Sequence, residues 1–172
     1  TKTASTSVGA IYHAAVADDA GRVILTGGFG SIADADPSGL PVNIPKNPSA
    51  TVEIWEYNDA TKALTKVCTD AMSTPRGRHS LAVVGDLVTI VGGHGTDGAT
   101  LDSGEFAPYR ASGSCFATRP TVKTMADQRA RHTAVTLGTG EILIVGGYRW
   151  APTESFYTTI DGAELFSPRR KP

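Results

Sequence analysis

Residues 72–80 read MSTPRGRHS and residues 125–133 read MADQRARHT. Met72, Arg76, Arg78 and His79 match Met125, Arg129, Arg131 and His132 at identical offsets. Each stretch leads into an apolar segment, a turn, a second apolar segment and a glycine pair, Gly92-Gly93 and Gly146-Gly147. A degenerate third copy runs from near His13 to Gly27-Gly28. Repetition at fixed spacing marks an array of similar structural units, and it speaks to architecture before it speaks to chemistry.

The spacing defines the units. Gly93 and Gly147 are 54 residues apart, and His79 and His132 are 53 apart. Gly28 and Gly93 are 65 apart. The excess falls between Gly28 and Glu53, which are separated by 25 residues where Gly93 and Glu105 are separated by 12. The chain therefore divides into units of approximately 1–71, 72–124 and 125–172, the first carrying an insertion loop over 29–50.

Each unit reads as four short strands. In the middle unit, the apolar runs His79 to Val84 and Leu87 to Val91 flank a tight turn at Gly85-Asp86. The third unit repeats this with His132 to Leu137 and Ile142 to Val145, and the first with Ile11 to Ala17 and Val23 to Thr26. β-Branched runs bounded by Gly and Asp turns are hairpin signals. A third strand is predicted around Val52 to Trp55, Gly104 to Ala107 and Ala163 to Phe166, and a fourth before Met72 and Met125. No stretch carries a 3.6-residue apolar period. Four-stranded antiparallel units at this repeat length imply an all-β propeller. The glycine pair falls where inner strands end, so a side chain there is expected to collide with the neighbouring blade.

The motif Met-x-x-x-Arg-x-Arg-His, two strands, Gly-Gly, then small-Glu-apolar resembles the kelch repeat, in the form common to bacterial kelch proteins and galactose-oxidase-like propellers. The likeness extends from about residue 8 to 168, and the unit length is near the ~50 residues of a kelch blade. It implies a kelch-type β-propeller segment of about three four-stranded antiparallel blades. The first unit departs from the motif: Ala10 and Tyr12 stand where the other units have arginines.

Three blades fall short of a closed ring, and a repeat array needs its end faces covered. Two readings follow: a segment of a longer or multi-chain assembly, or two copies that close a ring. Residues 1–9 are expected to supply an outer strand, and the start at Thr1 suggests a processed product or a fragment. The function expected is that of a protein-binding or assembly module. The alternative is part of a secreted carbohydrate-active or galactose-oxidase-like enzyme whose catalytic residues lie outside this segment.

Composition narrows the classes. The net charge of −1 implies no nucleic-acid partner. No apolar run approaches the ~18 residues of a membrane span. A chain rich in Thr, Ser and Ala with little Lys suits an extracellular or periplasmic protein. Two cysteines are too few for a disulfide framework, but Cys68 falls in the fourth strand of the first unit and Cys115 at the expected start of the equivalent strand one unit later, so a bond between blades is geometrically allowed.

Strand order places the loops 29–50, 94–101 and 148–159 on one face, with the two arginine motifs. Loops on a rigid scaffold are where ligands bind. The unrepeated His94, Tyr148, Arg149 and Trp150 are the leading candidates, with Arg76 and Arg129 beside them. Arginines next to Trp150 suit a carboxylate or a carbohydrate. The repeated arginines, Arg78 and Arg131 foremost, also read as structural partners of Glu53, Glu105 and Glu164. In the insertion, Leu40 and Ile44 form an apolar, proline-rich contact candidate. Asp34, Asp36 and Ser38 resemble the first half of a calcium loop, but Pro45 falls where a bidentate glutamate belongs. His13, His79 and His132 recur once per unit, so they read as hydrogen bonders at blade starts. No catalytic residue is assigned, and no phosphate loop, zinc signature or nucleophile elbow occurs.

Overall fold

The computed structural model describes residues 5–8, 11–31, 46–110, 113–150 and 156–168. The insertion candidates Asp34, Asp36, Ser38, Leu40 and Ile44 lie outside them. The fold is all-β, and among the described residues no helix forms.

Three antiparallel sheets follow the three sequence units. The first holds β1 (Ala14–Ala17), β2 (Arg22–Thr26), β3 (Thr51–Asn58) and β4 (Ala63–Ala71), paired in that order. The second repeats it with β5 (Ser80–Val84), β6 (Leu87–Val91), β7 (Ser103–Pro108) and β8 (Thr121–Thr124). The third holds β9 (Thr133–Thr136), β10 (Ile142–Val145) and β13 (Ala163–Phe166), with β10 central. A small ribbon of β11 (Tyr148–Arg149) and β12 (Thr158–Thr159) stands beside it. β5 packs beside β1 on one side and β9 on the other, so the first strand of each blade is innermost.

The third blade has three strands among the described residues, in keeping with fourth strands expected only before Met72 and Met125. The sequence reading needs two corrections. Residues 5–8 form no strand. Thr6 and Ser7 instead lie over the Glu53 carboxylate, the place that Ser73 and Thr74 take over Glu105 in the next blade. Cys115 does not start an outer strand. It sits in the connection before β8 and is disulfide-bonded to Cys68 of β4, with Cα atoms 5.4 Å apart. That connection straddles the first blade: Phe116 is buried in its core, and Asp70 of β4 accepts hydrogen bonds from the Phe116 amide and the Ser114 hydroxyl.

Strand alternation sends successive side chains to opposite blade faces. Ile24, Val52 and Ile54 of the first blade meet Val88, Ile90 and Ala107 of the second in one apolar core. Ala82, Val84 and Val91 of the second meet Ile142, Ile144 and Phe166 of the third in another. Burial therefore depends on position in the arc. Thr26 and Val91 are 0% exposed, whereas their equivalent Val145 is 42% exposed. Ile54 is 1% exposed, and its equivalent Leu165 is 56% exposed.

The glycine pairs seat the next blade. Gly27, Gly28, Gly92, Gly93, Gly146 and Gly147 all have left-handed φ values, 62° to 95°. A Cβ on Gly27 would strike the Arg76 carbonyl oxygen and lie 2.6 Å from His79 Cε1. One on Gly92 would strike the Arg129 carbonyl oxygen and lie 2.7 Å from His132 Cε1. Both the backbone conformation and the close approach require glycine.

Candidate functional site

The repeated motif divides into two arginine positions with different work. The first, Arg76 and Arg129, staples adjacent blades. Arg76 N–H donates to the Ser49 carbonyl of the first blade, and its own carbonyl accepts from Gly28 N–H. Its guanidinium turns to the second blade, donating to the carbonyls of Gly92 (2.8 Å) and Ser103 (2.9 Å) and to Glu105 Oε1 (2.7 Å). Arg129 repeats this one blade on. Its N–H donates to Leu101, its carbonyl accepts from Gly93, and its guanidinium reaches the Gly146 carbonyl and, at 3.8 Å, Glu164. Both side chains are buried and committed to strands and glutamates. Arg76 and Arg129 therefore belong to the blade interface and are not placed for ligand contact.

The first blade solves the same problem without an arginine. Glu53 accepts from the Thr6 and Ser7 hydroxyls, Ser7 N–H, Trp55 Nε1 and Lys66 Nζ. Burial alone would raise its carboxyl. These donors, Ser7 foremost, outweigh burial and hold it at about 2.

The second arginine position turns to the axis. Tyr12, Arg78 and Arg131 occupy equivalent places, all with left-handed φ: 55°, 57° and 54°. Non-glycine residues rarely adopt this conformation. A ladder sustains it, since Arg78 N–H donates to the Tyr12 carbonyl and Arg131 N–H to the Arg78 carbonyl, each at 3.0 Å. The side chains converge. The Arg78 guanidinium carbon lies 4.7 Å from the Tyr12 ring centroid and that of Arg131 5.1 Å from it. So the repeated glutamates take Arg76 and Arg129, and the expected structural pairing does not extend to Arg78 and Arg131.

His94 and Tyr148 join this cluster. Arg78 Nη1 donates to the Tyr148 hydroxyl (3.1 Å), which lies 2.9 Å from His94 Nε2. His94 Nδ1 lies 2.5 Å from the Gly98 carbonyl oxygen. A carbonyl only accepts, so Nδ1 carries the proton and Nε2 accepts from Tyr148. Burial pushes the imidazole down to about 4; the Gly98 carbonyl opposes this, and Arg78 and Arg131 add to it. His94 is therefore neutral at physiological pH. The Tyr157 ring meets Tyr148 edge-on, with centroids 4.6 Å apart.

Of the other candidates, Arg149 is exposed on β11. Trp150 is buried, and its amide and carbonyl both bond the Thr100 hydroxyl, so it anchors the 94–101 loop. The sequence reading missed Tyr12 and Tyr157. The replacement of an arginine by Tyr12 at a repeat position was the available signal; Tyr157 had none. Among the described residues no cluster of His, Cys, Asp and Glu is placed to hold a metal, and no helix is long and apolar enough to cross a membrane. No family model and no curated protein matches the chain.

Proposed function

We propose that this chain is a kelch-type propeller segment acting as a protein-binding or assembly module, completed by further blades from another chain or a second copy. One observation carries the reading. The outward face of the third blade exposes Val145 and Leu165; the equivalents of Val145, Thr26 and Val91, are buried at both internal junctions, and those of Leu165 are buried (Ile54) and half-buried (Phe106). Gly146 keeps the left-handed φ of a seat, yet among the described residues a Cβ there would meet only the Ile160 carbonyl oxygen, at 3.7 Å. An apolar face of this kind is an association surface.

Sedimentation velocity tests this. The chain should self-associate at micromolar concentration, or capture added blades, and Val145→Asp with Leu165→Asp should abolish this while leaving β-sheet circular dichroism intact. A compact, dispersed monomer would overturn the proposal. The second reading is part of a secreted carbohydrate-active or galactose-oxidase-like propeller enzyme with its catalytic residues outside this segment. A parent sequence that adds paired tyrosines or a His-x-His downstream would favour it.

A further inference from the structure

The first two blades reach their outermost strands by connections of different length. β3 and β4 are joined by residues 59–62, whereas β7 and β8 are joined by residues 109–120. The longer connection is held against the first blade by the Cys68–Cys115 bond and by Asp70. A groove of about 600 Å³ lies between it and the end of β4. Its lining includes Asp70, Ser73, Phe116, Thr118 and two arginines, Arg110 and Arg119. Asp70 and these arginines are the charged residues of the groove.

We propose that this groove binds a hydroxylated monocarboxylate of the uronic acid class, its carboxylate accepting hydrogen bonds from Arg110 and Arg119. Both arginines are exposed, and among the described residues no hydrogen bond or ion pair engages either guanidinium. Arg22, Arg76 and Arg129, by contrast, each have a carboxylate partner. Asp70 is already committed: it accepts from the Ser114 hydroxyl and from the amides of Phe116 and Ala71. Burial alone would raise its carboxyl, but these donors, Ser114 foremost, outweigh burial and hold it below its ordinary value. Two cations against one anion leave a single positive charge, which one ligand carboxylate balances. The planar guanidinium fork matches that carboxylate, and the exposed hydroxyls of Ser73 and Thr118 suit the ligand's own hydroxyl groups. The walls are also set beforehand. Arg110 N–H donates to the Cys115 carbonyl and Ala117 N–H to the Pro108 carbonyl, and the disulfide ties both to β4. A site ordered in advance does not spend binding energy on ordering. The groove lies between the first and second blades, so the proposal is independent of which blades complete the arc.

Nuclear magnetic resonance titration of the full chain at low ionic strength tests this, with galacturonate, its neutral methyl ester, and propionate, which has the carboxylate but no hydroxyls. Galacturonate should shift the amides of Ser73, Ser114 and Thr118, and added salt should weaken it. The ester should not bind, and propionate should bind more weakly. Arg110→Gln and Arg119→Gln remove exposed side chains, so each should fold normally and weaken galacturonate about tenfold. Lys62→Gln, on the exposed 59–62 turn, should bind as the parent does. Absence of galacturonate binding, equal binding of the ester or of propionate, shifts confined to another surface, or unchanged affinity in both arginine variants would each overturn the proposal. Should a variant melt early, the ester comparison on the parent chain decides alone.

Discussion

Arg76 Nη2 lies 2.7 Å from Glu105 Oε1, and both side chains are all but excluded from solvent. The equivalent pair one blade on is looser: Arg129 Nη2 stands 3.8 Å from Glu164 Oε2, and Glu164 is 19% exposed. A charge buried without its partner is costly, while a wetter one is screened. Arg76→Met should therefore destabilise the fold by about 3–5 kcal/mol, leaving Glu105 buried and unpaired. Arg129→Met should cost less, about 1–2 kcal/mol, since the pair is longer and Glu164 keeps the Ala126 N–H on its other oxygen. Urea denaturation of the two variants checks the order. Equal losses would mean that the carbonyl contacts, and not the ion pair, carry the effect.

The glycine seats give a graded set. Gly92→Ala forces a methyl against the Arg129 carbonyl and His132, in addition to the left-handed backbone, and should cost about 3 kcal/mol or more. Gly146→Ala meets only the backbone penalty, about 1–2 kcal/mol. Thermal melts at low protein concentration measure both. When further blades are seated, Gly146→Ala should become as harmful as Gly92→Ala. The difference therefore reports whether the third blade's face is occupied.

Acid should destabilise the protein. Burial, with Arg76 and neighbouring histidines, pushes His79 down to about 3. Burial and Arg129 push His132 down to about 4. In the unfolded chain both return to about 6.5, so the unfolded state takes up more protons between these values. Stability is full above about pH 6.5 and is lost as pH falls toward 4, by about 2 kcal/mol for each histidine at pH 5. Glu53, held at about 2 against an ordinary 4.5, adds a further loss of the same sign below about pH 4.5. A melting temperature unchanged from pH 7 to pH 5 would contradict the buried, neutral histidines. His79→Gln should flatten the profile.

Reducing the Cys68–Cys115 bond should free the connection that straddles the first blade. The bridge spans 47 residues, so chain entropy alone assigns it about 4 kcal/mol as an upper figure. Reduction should lower the melting temperature and raise amide exchange first around Ser114 and Phe116, whose contacts to Asp70 depend on the tether. Exchange that rises uniformly would show that the bond acts only through the unfolded chain.

The architecture was legible in the sequence because repetition and turn residues are local signals. The interval between MSTPRGRHS and MADQRARHT set the blade length. The glycine pairs marked where one blade meets the next, since φ near 60–95° and a carbonyl pressed on Cα admit no side chain. Strand alternation located the apolar faces.

Other features came only from the assembled blades. Nothing in Met-x-x-x-Arg-x-Arg-His says which arginine meets the glutamate. That follows from direction: one side chain runs back along its own blade, and the next, two residues on with left-handed backbone, projects to the axis. Tyr12 and Arg131 are 119 residues apart in the chain, and they meet because the arc brings equivalent positions together. Cys115 reached Cys68 through a loop that no strand pattern defines. Local sequence determined which elements form, through turn chemistry and period. The tertiary structure decided which side chains share a site, because that depends on how the blades rotate about a common axis.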